Sequence, residues 1–181
     1  MSVDRRESLF PMLVYLSGSI EHSPDHGKGW RSALTPFLQS LGHDVYDPAK
    51  DERKNLTEDE WRHFRDWKYS DLPRFQQAIR KIVAYDLDRI EQQADCIVAY
   101  WDEFAARGAG TQAELTFAHR RGIPVYLVSA MPIAAISGWI LGCATEVFLS
   151  FDALRGFLQT RAAEMDAAFV DGSFAPAAGV P

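Results

Sequence analysis

The sequence predicts an α/β chain, a single doubly wound, Rossmann- or flavodoxin-like domain of about five parallel strands with helices on both faces. Short apolar runs of strand length recur along it, and they alternate with stretches whose apolar residues fall three and four apart. A glycine-rich turn follows one of the apolar runs and opens a helical pattern. Parallel neighbours need a crossover, so strands alternating with helices argue for a parallel sheet covered on both sides.

The elements follow in chain order. Residues 12–16 form the first apolar run and end in Ser17-Gly-Ser19, small residues that let a ligand approach the backbone closely. Residues 30–41 carry Ala33, Leu34, Phe37, Leu38 and Leu41 at helical spacing, and 43–46 read as a second strand. The segment 48–72 breaks the alternation: it is highly charged, and Trp61, Phe64, Trp67 and Tyr69 suit a short amphipathic helix. Such a helix either docks its aromatics on the core or serves as a lid over a ligand. Residues 75–90 form a further helix through Ile79, Ile82, Val83, Leu87 and Ile90, and 96–100 the third strand. The turn Gly108-Ala-Gly-Thr-Gln-Ala-Glu114 then opens a helix running to about Arg121. Residues 124–128 and 146–149 are the last strand runs. The core is expected over about 12–158, with an insertion at about 48–75 and a loosely ordered tail from about 168 to 181.

A chain of 181 residues suits one domain around one core. Its net charge of −6 provides no basic footprint for a phosphate backbone, which argues against a nucleic-acid polymer as partner. Cys96 and Cys143 lie far apart in apolar segments without metal-ligand spacing, and read as core residues in a reducing compartment. The first residues lack the apolar region of a secretory leader, so a cytoplasmic location is expected. The apolar stretch 123–149 is punctuated by Pro124, Pro132, Gly138 and Gly142, which suits a buried strand and a packed helix better than a membrane span.

Three segments are expected to converge at the carboxyl edge of the sheet, where open α/β folds bind ligands: Ser17-Gly18-Ser19, Asp86 and Glu114. Glu114 has two readings. Thr111-Gln-Ala-Glu114 matches a capping box, in which the glutamate serves only the helix start. Alternatively the carboxylate is chemical, beside a helix amino terminus that favours anions. Asp86 alone reads as a solvated helix carboxylate, with Asp88 as a rival two residues on. Tyr15 reads as core with its hydroxyl satisfied, and Ser137 as a helix residue bonded to its own backbone.

The string Val-Tyr-Leu-Ser-Gly-Ser-Ile at 14–20, Asp86-Leu followed by Ile90-Glu-Gln-Gln-Ala-Asp95, and the glycine-rich turn into Glu114-Leu together resemble the nucleoside 2-deoxyribosyltransferase superfamily. That superfamily includes the 2-deoxynucleoside 5-monophosphate N-glycosidases. The resemblance spans about residues 12–158, and Ser137-Gly-Trp-Ile-Leu-Gly142 looks like the family segment that reaches into a neighbouring subunit. It implies that Glu114 is the nucleophile, that Asp86 protonates or positions the leaving base, and that Tyr15 orients the glutamate. Ser17, Gly18, Ser19, Gly110 and Thr111 would line the substrate, and Ser137 would contact the sugar's 5-oxygen or phosphate across a dimer. The partners so implied are a small nucleoside or nucleotide and a second copy of the chain, with no membrane, metal or cofactor.

The chemistry is coherent in physical terms. Breaking an N-glycosidic bond builds positive charge on the sugar, which one carboxylate stabilises or captures, while a second carboxyl neutralises the departing base. One must be ionised while the other holds a proton, so their surroundings must differ; Tyr100, Trp101 and Phe104 are candidate walls for a desolvated crevice.

The sequence departs from the family in two places. Where many transferases carry an acidic base-reading residue, this chain has Arg107-Gly108-Ala109, and Asp102 or Glu103 is the available substitute. Where the monophosphate glycosidases carry an arginine after Gly-Ser-Ile, this chain has Glu21, which repels phosphate and favours a nucleoside. The turn before Glu114 also resembles the G-G-x-G-T-x-x-E signature of phosphoribohydrolases, although Arg107 replaces the leading glycine and the rest of the chain does not follow. The expected function is transfer of a deoxyribosyl group to another base or to water through a glutamyl intermediate. The alternatives are a monophosphate N-glycosidase, a non-catalytic nucleotide-binding module, and an oligomeric scaffold using the apolar segment 133–143.

Overall fold

The structure of the chain, a computed structural model, describes residues 11–51 and 53–170, with the side chains of 165–170 excepted. The elements in order are β1 (Leu13–Ser17), α1 (Lys28–Ser40), β2 (Asp44–Tyr46), α2 (Glu58–Ser70), α3 (Leu72–Gln92), β3 (Cys96–Trp101), α4 (Glu103–Arg107), α5 (Ala109–Arg121), β4 (Val125–Ser129), α6 (Gly138–Cys143), β5 (Glu146–Phe148) and α7 (Phe151–Val170). All strand pairs are parallel, in the order β2-β1-β3-β4-β5. This is the doubly wound arrangement expected from the alternating pattern, and the order reverses between β1 and β3, where a crevice opens beyond the strand ends.

Strands buried on both faces read as continuous apolar runs, as β1, β3 and β4 do, whereas the short edge strands β2 and β5 begin on exposed Asp44 and Glu146. Their side chains alternate between the two faces. Tyr15, Ile97, Ala99, Trp101, Val125 and Leu127 pack with Ile90, Leu115, Ala118 and Ile140 from α3, α5 and α6. Val14, Leu16, Val98, Tyr126 and Val128 pack on the opposite face with Leu34, Leu38, Leu154 and Leu158 from α1 and α7. Leu34 and Leu38 are fully buried, each contributing about 1.5–3 kcal/mol of transfer free energy. The start of β1 is pinned by Asp95, whose Oδ2 accepts from the Leu13 amide at 2.7 Å.

The insertion docks its aromatics rather than leaving them free. Phe64, Trp67 and Leu56 bury against Ala78 of α3, whereas Tyr69 stays 89% exposed. The capping box of this chain lies here: Thr57 accepts from the Glu60 amide at 3.2 Å while the Glu60 carboxylate accepts from the Thr57 amide at 2.8 Å. Helix α2 also reaches the loop after β1, where Lys68 Nζ donates to Glu21 Oε1 at 2.8 Å.

Cys96 and Cys143 are both buried, on opposite faces of the sheet. Residues 123–149 hold β4, a 3-10 turn at Ile133–Ala135, α6 and β5; among the described residues no helix is long and apolar enough to cross a membrane. The tail expected from about 168 begins inside α7, which continues to Val170; the remainder, like the N-terminal stretch 1–10, lies outside the described residues.

Candidate active site

Glu114 is not part of a capping box. Helix α5 begins at Ala109 with extended Gly108 as its N-cap, three residues earlier than that reading requires, so Thr111 is already inside the helix and buried. Glu114 therefore stands in the second turn, on the face that packs against the sheet beside Leu115 and Ala118. Tyr15 and Ser17 are two apart on β1, so the strand's period of two directs both at the same helix. The Tyr15 hydroxyl donates to Glu114 Oε1 at 2.8 Å, and Ser17 Oγ donates to Oε2 at 2.5 Å. Burial of the carboxyl and the nearby charge of Asp86 push the Glu114 pKa up, against the two hydroxyl bonds and the cation of Lys54. Burial and the Glu114 charge also raise the Tyr15 phenol well above its ordinary range, so it is a proton donor at any working pH.

Asp86 of α3 is partly buried and Asp88 exposed, which separates the two rivals. Asp86 faces a partner the sequence did not single out: Lys54, from the stretch between β2 and α2, places Nζ 2.7 Å from Asp86 Oδ2. Burial raises the Asp86 pKa, and the adjacent ammonium partly offsets that rise. Asp86 Oδ1 is buried without a hydrogen-bond partner. Asp51, from the same stretch, accepts from the hydroxyls of Tyr46 at 3.1 Å and Tyr85 at 2.6 Å. Burial pushes Asp51 up, but these bonds outweigh it and its carboxyl titrates below the usual range. The Tyr15 and Tyr46 rings lie 5.3 Å apart, so the phenol that holds Glu114 packs against the one that holds Asp51, and the charges of Glu114 and Asp86 act on each other.

The loop after β1 is held by Arg31, a fully buried residue on α1. Its guanidinium donates to the carbonyls of Gly18 and Gly27, both at 2.9 Å, and lies 3.4 Å from Asp47 Oδ1. A Cβ at Gly18 would lie 3.0 Å from the Trp30 ring and 3.4 Å from the Arg31 guanidinium, so Gly18 makes room for packing.

A cavity of about 340 Å³ opens beyond the ends of β1 and β3, walled by Ser19, Asp25, Trp30, Tyr100, Asp102 and Phe104 among others. Glu114 does not line it, because Tyr100 and Trp30 belong to the α1 face of the sheet whereas Glu114 lies under the α5 face. The three aromatics expected to wall one crevice are split by strand alternation. Trp101 is core on the α5 face, and Tyr100 stacks with Trp30 and Phe151 on the other.

The remaining candidates divide. Asp102 caps α4 with Oδ1, accepting from the Phe104 and Ala105 amides at 3.0 and 2.8 Å. Gly110 is exposed in the first turn of α5 with open space where a side chain would stand. Ser137 caps α6, accepting from the Trp139 amide at 3.3 Å, and is exposed away from Glu114's hydrogen-bond partners. Sequence reasoning missed Lys54, Asp51 and Arg31. Only Arg31 left a signal: it lies on the same helical stripe as Leu34 and Leu38, where a charge is out of place.

A solved structure of a 2-deoxyribosyltransferase from the psychrotolerant bacterium Bacillus psychrosaccharolyticus is 20% identical, covers 79% of this chain and 90% of its own, and superposes with a TM-score of 0.52, a likeness of fold. No curated protein matches the chain in sequence. The family model of nucleoside 2-deoxyribosyltransferases matches residues 14–148, which takes in Tyr15, Ser17, Asp86, Glu114 and Ser137; the chain belongs to the nucleoside 2-deoxyribosyltransferase family.

Proposed function

We propose that the protein cleaves the N-glycosidic bond of 2-deoxyribonucleosides and passes the deoxyribosyl group to another nucleobase or to water. Glu114 attacks the anomeric carbon and forms a glutamyl ester, while Asp86 protonates the departing base. Tyr15 and Ser17 orient Glu114. The observation that carries this reading is the convergence of two β1 hydroxyls on the two oxygens of Glu114. A glutamate serving only its helix would turn to the helix amides; this one is turned into the sheet and held from both sides. Neutral donors fix a carboxylate without cancelling its charge, which is what a nucleophile needs.

Glu21 in the loop after β1 favours nucleosides over their 5-monophosphates, since its carboxylate is anchored there by Lys68. Ser19, Gly18, Asp102, Gly110 and Thr111 are the proposed substrate contacts around this edge. Ser137 is proposed to enter the site of a neighbouring copy in a homodimer or larger assembly. Its exposure, and that of Trp139 at 69% and Ile133 at 41%, support that reading.

The test is chromatography of 2-deoxyribonucleosides and their 5-monophosphates incubated with the protein, alone and with a second free base, beside Glu114→Ala. Base release that the variant abolishes is the expected result, and a new nucleoside formed only with the second base separates transfer from hydrolysis. Cleavage confined to monophosphates would assign the N-glycosidase activity instead. Ligand-induced thermal stabilisation without any release would leave a binding module.

A further inference from the structure

We propose that Lys54 is a positioning residue, the counter-cation for one negative charge that Glu114 and Asp86 share, holding that charge as it passes from Glu114 to Asp86 during bond cleavage. This rests on the glycosidic reading above. Lys54 and Asp86 pair at 2.7 Å with side chains 9% and 13% exposed, and the ammonium also acts electrostatically on Glu114. A pair this deep is a poor stabiliser, because desolvating both ions costs about as much as their attraction returns. The chain nonetheless holds Lys54 at φ 38° and Asn55 at φ 65°, in the left-handed region that residues other than glycine seldom adopt. Such backbone outliers cluster at functional sites.

The division of labour within Asp86 completes the argument. Oδ2 accepts from Lys54, and the buried Oδ1 has no partner, which leaves it for the leaving base. Before reaction Glu114 is anionic, Asp86 carries a proton on Oδ1, and Lys54 is cationic. A bond forms between Glu114 and the anomeric carbon, and the carbon–nitrogen bond breaks with its electron pair going to the base. The Asp86 proton then moves to that base. Glu114 is now a neutral ester, Asp86 an anion and Lys54 still a cation, so the net charge beneath the sugar is unchanged. Without Lys54 the proton transfer would create an isolated anion in a site depleted of water.

The other ionisable groups around Asp86 are Asp51 before α2, Tyr46 on β2, Tyr15 on β1, Glu114 on α5 and Tyr85 on its own helix. The two strand phenols are held neutral, and Asp51 is occupied by Tyr46 and Tyr85. Arg89, three residues further along α3, donates to the Tyr85 hydroxyl at 2.9 Å, so among the described residues Lys54 is the cation paired with Asp86 itself.

The test is the pH profile of kcat for wild type, Lys54→Met and Lys54→Gln, on whichever deoxyribonucleoside the wild type cleaves. Removing the cation makes Asp86 keep its proton to higher pH, so the alkaline limb moves upward by about one pH unit. At the same time kcat falls by about 100-fold, because the developing anion is uncompensated. Folded variants whose limb overlays that of wild type would overturn the proposal and leave Lys54 a structural pair. Should neither variant fold, Lys54→Arg, which keeps the cation, decides: a limb at the wild-type position is expected, and a limb moved as far as that expected of the neutral variants overturns the proposal. Wild-type protein that cleaves no member of the panel would sink the glycosidic reading itself, whereas wild-type cleavage with unshifted Lys54 variants sinks only the inference.

Discussion

Glu114 and Asp86 are carboxyl groups on packed neighbouring helices, α5 and α3, yet the regions that hold them use different chemistry. The sheet edge offers Glu114 two neutral hydroxyls from alternate positions of one strand. The stretch between β2 and α2 offers Asp86 an ammonium. Hydroxyls fix direction and leave charge in place, whereas an ammonium compensates charge and eases ionisation. In the mechanism proposed above a nucleophile and an acid need those two treatments respectively, and the difference follows from which segment faces each carboxyl.

The largest effect that would sharpen this contrast is that of Glu114→Ala, which should lower turnover by about 10⁴-fold or more while the far-UV circular dichroism stays native. Retained activity would remove Glu114 from the chemistry. Next comes Arg31→Met, which leaves buried Asp47 beneath the β1 loop with only the distant, exposed ammonium of Lys50 at 3.9 Å. Breaking such a buried pair should cost about 3–5 kcal/mol in urea unfolding. A loss below about 1 kcal/mol, the range of a surface pair, would show that the loop is not held this way.

Tyr15→Phe and Ser17→Ala each remove one bond to a charged carboxylate, worth about 1.5–3 kcal/mol, so kcat should fall roughly 10- to 100-fold. A pure effect on KM in either variant would mean that the hydroxyl binds substrate instead of orienting Glu114. Glu114→Gln probes stability. The folded-state pKa of Glu114 is raised by burial and by Asp86, so its ionisation disfavours the folded state as pH rises through that value. The amide variant should melt higher than wild type at neutral pH, and the gain should vanish below the ordinary glutamate pKa of about 4.3. A pH-independent difference would point to packing. Smallest is Lys68→Ala: its bond to Glu21 is an exposed pair, and its loss should shift stability by less than about 1 kcal/mol.

The sequence alone determined the alternation of strands and helices, and with it the parallel sense of the sheet, because burial on both faces leaves apolar runs of five or six residues at its centre. It also marked Glu114, through the glycine-rich turn before it, and Tyr15, Ser17 and Asp86 through the order in which family motifs fall along the chain. It could not tell a glutamate that caps its helix from one turned into the sheet, since the difference is a helix start three residues earlier. Nor could it find Lys54, which stands in the run Asp51-Glu-Arg-Lys54 and reads there as one more charge on a solvated face. Local pattern reports which residues are apolar, but a charge is buried only when distant segments close over it. The left-handed turn at Lys54 and Asn55 and the packing of α2 on α3 together decided which of those charges reaches Asp86.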